Sequence, residues 1–239
     1  MWVGQQLADG LDFWGFLGSL ILGGIILGIY TGLLGYVGAK TGLSLDLLSQ
    51  RAFGEKGSYL PSAMTSFTQI GWFSVGSFVS GGTATPNFAR FAKNGKAGAI
   101  TTVVAFFIGN SLMFFFGAVS SIFVGGNDIF EVMVRLNLFY LAVLVLGLNI
   151  WTTNDNALYT AGLGLANIFH QRKKPMVLLS GIIGTVASVW LYYNFCGWLN
   201  ILNCTLPPVG MILVLAYFMN KEDFETDQPK LKTIDWFAV

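Results

Sequence analysis

Within Asn149-Ile-Trp-Thr-Thr-Asn-Asp-Asn-Ala-Leu-Tyr159, the residues Asn149, Thr152, Thr153 and Asn156 fall at i, i+3, i+4 and i+7, so they share one face of a helix. Amides and hydroxyls in that pattern can read the edge of a polar solute, and their oxygens can hold a hard cation. Asp155 adds a carboxylate, suited equally to carrying a proton or to a structural pairing near the helix end. The uncharged stretch from Leu136 to Asn154 is long enough to cross a bilayer, which takes about 20 residues. Polar groups at that depth are costly unless they face a protein interior or a water-filled path. The cluster therefore marks a membrane protein that contains a polar site.

A second constellation lies earlier in the chain. Gln69 and Trp72 are three residues apart, on one helix face. The amide offers donors and acceptors and the indole a flat apolar surface, a combination suited to stacking a planar base and reading its edge. The bland reading of the same pair is a packed Trp beside a Gln that faces a polar neighbour. Further on, Ser80-Gly-Gly-Thr-Ala-Thr-Pro86 breaks the helical pattern. Unwound backbone at membrane depth persists only where it is packed by protein or lines a cavity. The single histidine, His170, sits beside Arg172-Lys173-Lys174 and reads as a solvated loop residue. With no Ser/His/Asp set and no phosphate-loop signature, an enzyme is not expected.

The chain has 239 residues, 54% hydrophobic and 10% charged, with a mean hydropathy of +0.64; a soluble domain carries about a quarter charged residues. A net charge of +1 leaves no concentrated basic surface for nucleic acid. Cys196 and Cys204 have neither metal nor framework spacing and read as small packing groups. The first apolar run is too long for a cleavable signal peptide. Apolar stretches at Phe13 to Ala39, Leu60 to Ala89, Ala97 to Gly117, Leu136 to Phe169, Met176 to Phe195 and Val209 to Met219 predict an all-α, multi-pass membrane protein of about six segments. The last is expected to begin near Cys204 and bend at Pro207-Pro208. Gly24, Gly28 and Gly32 form a small-xxx-small surface for close helix approach.

Loop charges set the orientation. Lys40, Arg51 and Lys56, then Arg90, Lys93 and Lys96, and then Arg172 to Lys174 mark inside loops. The acidic 125–135 loop and the uncharged 194–208 stretch read as outside. Two inside loops thus flank residues 60–89, which a single crossing cannot join. Either that stretch dips in and returns, broken near Gly76, or spans are missing there.

Four stretches resemble the nucleobase–cation symporter family: Gly28 to Gly42, Thr68-Gln-Ile-Gly-Trp-Phe73, Ser77 to Thr83 with Phe88-Ala-Arg-Phe91, and Leu146 to Tyr159. The resemblance covers almost the whole chain, but out of the family's continuous order. The family has inverted five-plus-five helix repeats around a mid-membrane site, and the chain resembles a partial version of that fold. Residues 1–76 correspond to a remnant of the first repeat, 77–219 to the second repeat, and 220–239 to a cytoplasmic tail with the start of a further helix. A jump from the family's third helix into its sixth falls near Gly76-Ser77.

This resemblance implies cation-coupled uptake of a nucleobase, cytosine with sodium first and proton as the other coupling ion, in the cell's inner membrane. By the same resemblance, Gln69, Trp72, Phe78, Ser80, Gly81, Asn149, Asn154 and Asn156 contact or line the base site. Thr152 and Thr153, with backbone carbonyls at Gly4, hold sodium. A hydroxyl bonded to its own helix is the alternative for the threonines. With helices absent, the truncated chain is expected not to accumulate substrate. The rivals are a non-transporting membrane remnant and an oligomeric pore.

Overall fold

The computed structural model describes residues 12–75, 83–125, 129–226, 229 and 231–235, and among them the regular structure is entirely helical. The helices, in chain order, are α1 (Phe13–Thr41), α2 (Leu45–Phe53), α3 (Tyr59–Val75), α4 (Pro86–Ala89), α5 (Gly95–Val124), α6 (Ile129–Arg135), α7 (Phe139–Phe169), α8 (Lys173–Tyr193), α9 (Phe195–Met219) and α10 (Lys221–Glu225). Within α5, residues Ala105–Gly109 form a π-helical stretch. Among the described residues, α1, α5 and residues Lys173–Leu191 of α8 are each long and apolar enough to cross a membrane.

The last apolar helix differs from the expectation. It starts at Phe195, not near Cys204, and Pro207 and Pro208 lie inside it. The 194–208 stretch is therefore mostly helix instead of an outside loop. Its lack of charge reflected an apolar packing surface, and proline is tolerated in membrane helices where surrounding groups satisfy the freed backbone. Cys204 is a free and exposed thiol, so it does not pack in the interior.

Two compact units emerge, cutting across the chain-order boundaries at 76 and 219. The first comprises residues 1–29 and 101–152. There the small-residue face of α1 receives α5: a Cβ on Gly24 would lie 3.0 Å from the Phe107 ring, and one on Gly28 would lie 3.7 Å from Val103. The second comprises residues 30–100 and 153–239. Its main core joins Leu34 and Val37 of α1, Leu45, Leu48 and Phe53 of α2, Leu213 and Tyr217 of α9, and Phe224 of α10. A second cluster gathers Ala157, Leu191, Trp198, Leu202 and Leu206. Within lipid, such contacts act through close packing more than through the hydrophobic effect, because lipid tails are as apolar as leucine.

In the second unit the two basic loops around residue 60–89 lie side by side. Gly38 lacks the Cβ that would sit 2.7 Å from Pro86, and Gly95 lacks one that would sit 2.8 Å from the Tyr36 ring. The Leu45 amide donates to Asn87 Oδ1 at 2.8 Å. Residues following α1 and residues preceding α5 thus share one side, as their matching charge requires. On that side the 231–235 segment runs along the Phe53–Gly57 turn, with Glu55 and Lys56 amides donating to the Lys232 and Thr233 carbonyls at 2.7 and 2.8 Å. Gly54 takes a φ of 85° there, and any Cβ would meet the Lys232 carbonyl at 2.6 Å.

Candidate functional site

Three serines and a glycine fix how α3 meets α7. Ser66 Oγ donates to the Ala161 carbonyl at 3.1 Å, and Asn167 Nδ2 donates to Ser62 Oγ at 2.8 Å and Ser58 Oγ at 3.1 Å. Rising numbers on α3 therefore meet falling numbers on α7, so the helices are antiparallel. Gly164 makes the approach possible, because a Cβ would collide with Ser66 Oγ and lie 2.8 Å from the Ser62 carbonyl.

The register has a consequence for the predicted site. Ser62, Ser66 and Gln69 share one face of α3, while Asn154, Ala157, Ala161 and Gly164 share one face of α7. At about 1.5 Å per residue, Gln69 lies about one turn beyond Ser66, and Asn154 about two turns beyond Ala161 in the same direction. Gln69 and Asn154 thus line one continuation of the α3–α7 interface. Gln69 is buried. The Asn154 Oδ1 atom is buried with no hydrogen-bond partner among the described residues. Trp72 lies on α3 one turn past Gln69.

The other polar residues of α7 take a different face. Asn149, Thr152 and Asn156 are exposed and Thr153 is half-buried. The face expected to point inward is therefore the outer one in this chain, and Asn154, between its members, is the amide that turns toward α3. The Thr152 hydroxyl lies 3.1 Å from the Leu148 carbonyl and 3.0 Å from the Asn149 carbonyl, both on its own helix. Such a hydroxyl donates its proton inward and keeps its oxygen lone pairs outward, where a cation could be accepted. Asp155 is exposed. Gly4, Phe78, Ser80 and Gly81 lie outside the described residues.

Trp198 did not stand out in the sequence. It is buried in the cluster with Ala157 and Leu191, its ring 4.2 Å from that of Phe67 in an edge-on arrangement. Its Nε1 atom is also buried with no partner among the described residues. No motif flagged it, because the surrounding residues read as a loop.

On the basic side, a buried network ties α2, α3 and α7 together. Asp46 Oδ1 accepts from Ser62 Oγ at 2.7 Å, and Gln50 Nε2 donates to Asn167 Oδ1 at 2.5 Å. Burial pushes the Asp46 carboxyl up to about 6, although the Ser62 hydrogen bond and the charge of Arg90 pull the other way. Arg90 donates to the Tyr159 hydroxyl, and Lys173 Nζ sits 3.3 Å from the centre of the same ring. His170, exposed as expected, nonetheless meets the Tyr59 hydroxyl at 2.6 Å.

An all-helical chain with three apolar helices long enough to cross a bilayer, among the described residues, fits an all-α membrane transporter fold. The family profile described as permease for cytosine/purines, uracil, thiamine, allantoin matches residues 1–83 and 74–229, and the chain belongs to that family. It is 36% identical to the cytosine permease of Escherichia coli K12 over 330 residues, covering all of this chain and 79% of that relative. The cytosine permeases of strains O6:H1 and O157:H7 give the same figures. The matched 330 residues outnumber the 239 available, so part of the relative's matched span has no counterpart here. The two profile matches overlap at 74–83, and the junction read at Gly76-Ser77 falls inside that overlap.

Proposed function

We propose that this chain carries the base-binding site of a sodium-coupled cytosine permease in the cell's inner membrane, crossing it several times. The observation that carries the reading is the placement of Gln69 and Asn154 along one continuation of the α3–α7 interface, with the Asn154 amide oxygen buried and unpartnered among the described residues. A base supplies both donors and acceptors, so a planar ligand bound there gives the Asn154 amide oxygen a partner. Trp72 offers it a stacking surface; Phe78, Ser80 and Gly81 are proposed as further contacts, whereas Asn149 and Asn156, exposed on the other face of α7, are left outside the site. Sodium is assigned to Thr152, Thr153 and the carbonyl of Gly4, and proton coupling is the competing ion chemistry. The cytosine named for the E. coli relatives supports the choice of base.

Coupled transport needs two repeats moving against each other around the site. The relative's matched span includes residues without counterpart in this chain, which supports binding without accumulation. We take the remnant reading for the state of this chain and the permease reading for the chemistry of its site. Uptake of radiolabelled cytosine into vesicles with an inward sodium gradient tests the division. We expect saturable sodium-dependent association that does not scale with vesicle volume. Accumulation above the external concentration would overturn the non-transporting part.

A further inference from the structure

Two polar atoms of opposite kind are buried in the second unit. Asn154 Oδ1 can only accept and Trp198 Nε1 can only donate, and neither has a partner among the described residues. Ala157, one turn from Asn154 on the same face of α7, packs in the cluster with Trp198. Met64 of α3 packs against that cluster, and Phe67, one turn further along α3, holds the indole edge-on at 4.2 Å. The indole is 4% exposed, so its plane is fixed by packing instead of by solvent.

Burying a donor and an acceptor without partners costs about 1–3 kcal/mol each, so native structures rarely leave them so. Apolar residues in their place would pack equally well, and the neighbours Leu191, Leu202 and Leu206 are apolar. We propose that Trp198 is a specificity-determining residue of the base site: its indole N–H donates to an acceptor on the bound base while Asn154 Oδ1 accepts from an adjacent donor. The ligand class this selects is a planar heterocycle with a donor and an acceptor side by side on one edge, as in an amide or amidine. Cytosine presents such edges, whereas a ring carrying acceptors alone leaves Asn154 unpaired. The inference rests on the base-binding reading above and adds to it α9, a helix from which the sequence offered no contact.

The test is ligand-observed NMR of the full chain in detergent with sodium and cytosine, comparing Trp198→Phe and Trp198→His with the unsubstituted protein. Phenylalanine keeps the ring and removes the donor, whereas histidine restores a ring N–H. We expect Trp198→Phe to weaken cytosine binding by about tenfold, the scale of one hydrogen bond, and Trp198→His to recover part of it. Both variants leave a packing gap and should melt somewhat lower, so the readout is cytosine affinity in folded protein: sodium dependence should be unchanged, and recovery by histidine is what a purely structural role would not give. Cytosine affinity unaltered in a folded Trp198→Phe overturns the proposal and leaves the base site standing. If Trp198→Phe does not fold, Trp198→His decides by the same affinity comparison. Absence of cytosine binding to the unsubstituted chain defeats the base-site reading, and this proposal with it.

Discussion

Ser66 Oγ donates to the Ala161 carbonyl at 3.1 Å, and that bond, with those from Asn167 to Ser62 and Ser58, sets which residues of α3 and α7 meet. The placement of Asn154 beside α3 depends on this register, because a shift of one residue on α7 rotates it about 100° off the interface.

Gly164→Ala tests the register. The added Cβ would collide with Ser66 Oγ and press on the Ser62 carbonyl. Overpacking of this kind costs about 1–3 kcal/mol, so the melting temperature in detergent should fall by several degrees. Gly147→Ala on the same helix meets nothing within 4 Å and should be neutral or slightly stabilising, since alanine favours helix by about 1 kcal/mol. Equal effects at the two positions would show that α7 does not approach α3 as described.

The sequence made the helices and the polar segment of α7 legible, and the reason is periodicity: apolar runs and polar spacing survive without knowledge of neighbours. The inward face of α7 was not legible. Asn149, Thr152, Thr153 and Asn156 form a stripe by polarity, whereas Asn154, Ala157, Ala161 and Gly164 form one by smallness, and close helix packing selects the small stripe. Trp198 was hidden for another reason. Pro207-Pro208 reads as a helix breaker, so the uncharged residues before it passed for a loop, although α9 continues through both prolines. Charge alone suggested that the 40–58 and 90–96 loops share one side, and Gly38 and Pro86, each just before one of those loops, lie against each other.

Asp46 predicts a pH dependence. Its carboxyl is raised by burial from 3.8 to about 6. A group with a raised folded pKa holds its proton longer when folded, so the folded chain binds more protons between those values. Stability should therefore fall as pH rises from about 4 to about 6, with the full penalty present above that range. At 1.36 kcal/mol per unit the change is about 3 kcal/mol. Melting temperatures from pH 4 to 7 should decline for the unsubstituted chain and flatten in Asp46→Asn. A rise over the same range would contradict the buried, Ser62-bonded carboxyl.

Orientation follows from the paired basic loops. Lys56 and Lys96 are both exposed, and their loops share one side of the second unit. With Cys196 and Cys204 first replaced by serine, Lys56→Cys and Lys96→Cys should both resist an impermeant reagent applied outside intact cells. Labelling of only one of them contradicts the shared side.

For the proposed ion site, Thr152→Ala or Thr153→Ala in this chain should weaken the sodium dependence of cytosine binding more than base affinity at saturating sodium. Losing one oxygen ligand costs about 1.5–3 kcal/mol by analogy with hydrogen bonds to charged groups, or roughly tenfold to a hundredfold in sodium affinity. An unchanged sodium dependence removes both threonines from the ion site.

The base site itself is tested most directly by equilibrium binding of cytosine to the purified chain, in sodium and in choline, with the E. coli K12 cytosine permease measured alongside. The account predicts weak, saturable binding that is tighter in sodium and falls by about tenfold in Gln69→Ala, the loss of one or two buried hydrogen bonds. Absence of saturable binding in sodium, at concentrations where the E. coli permease binds, contradicts it.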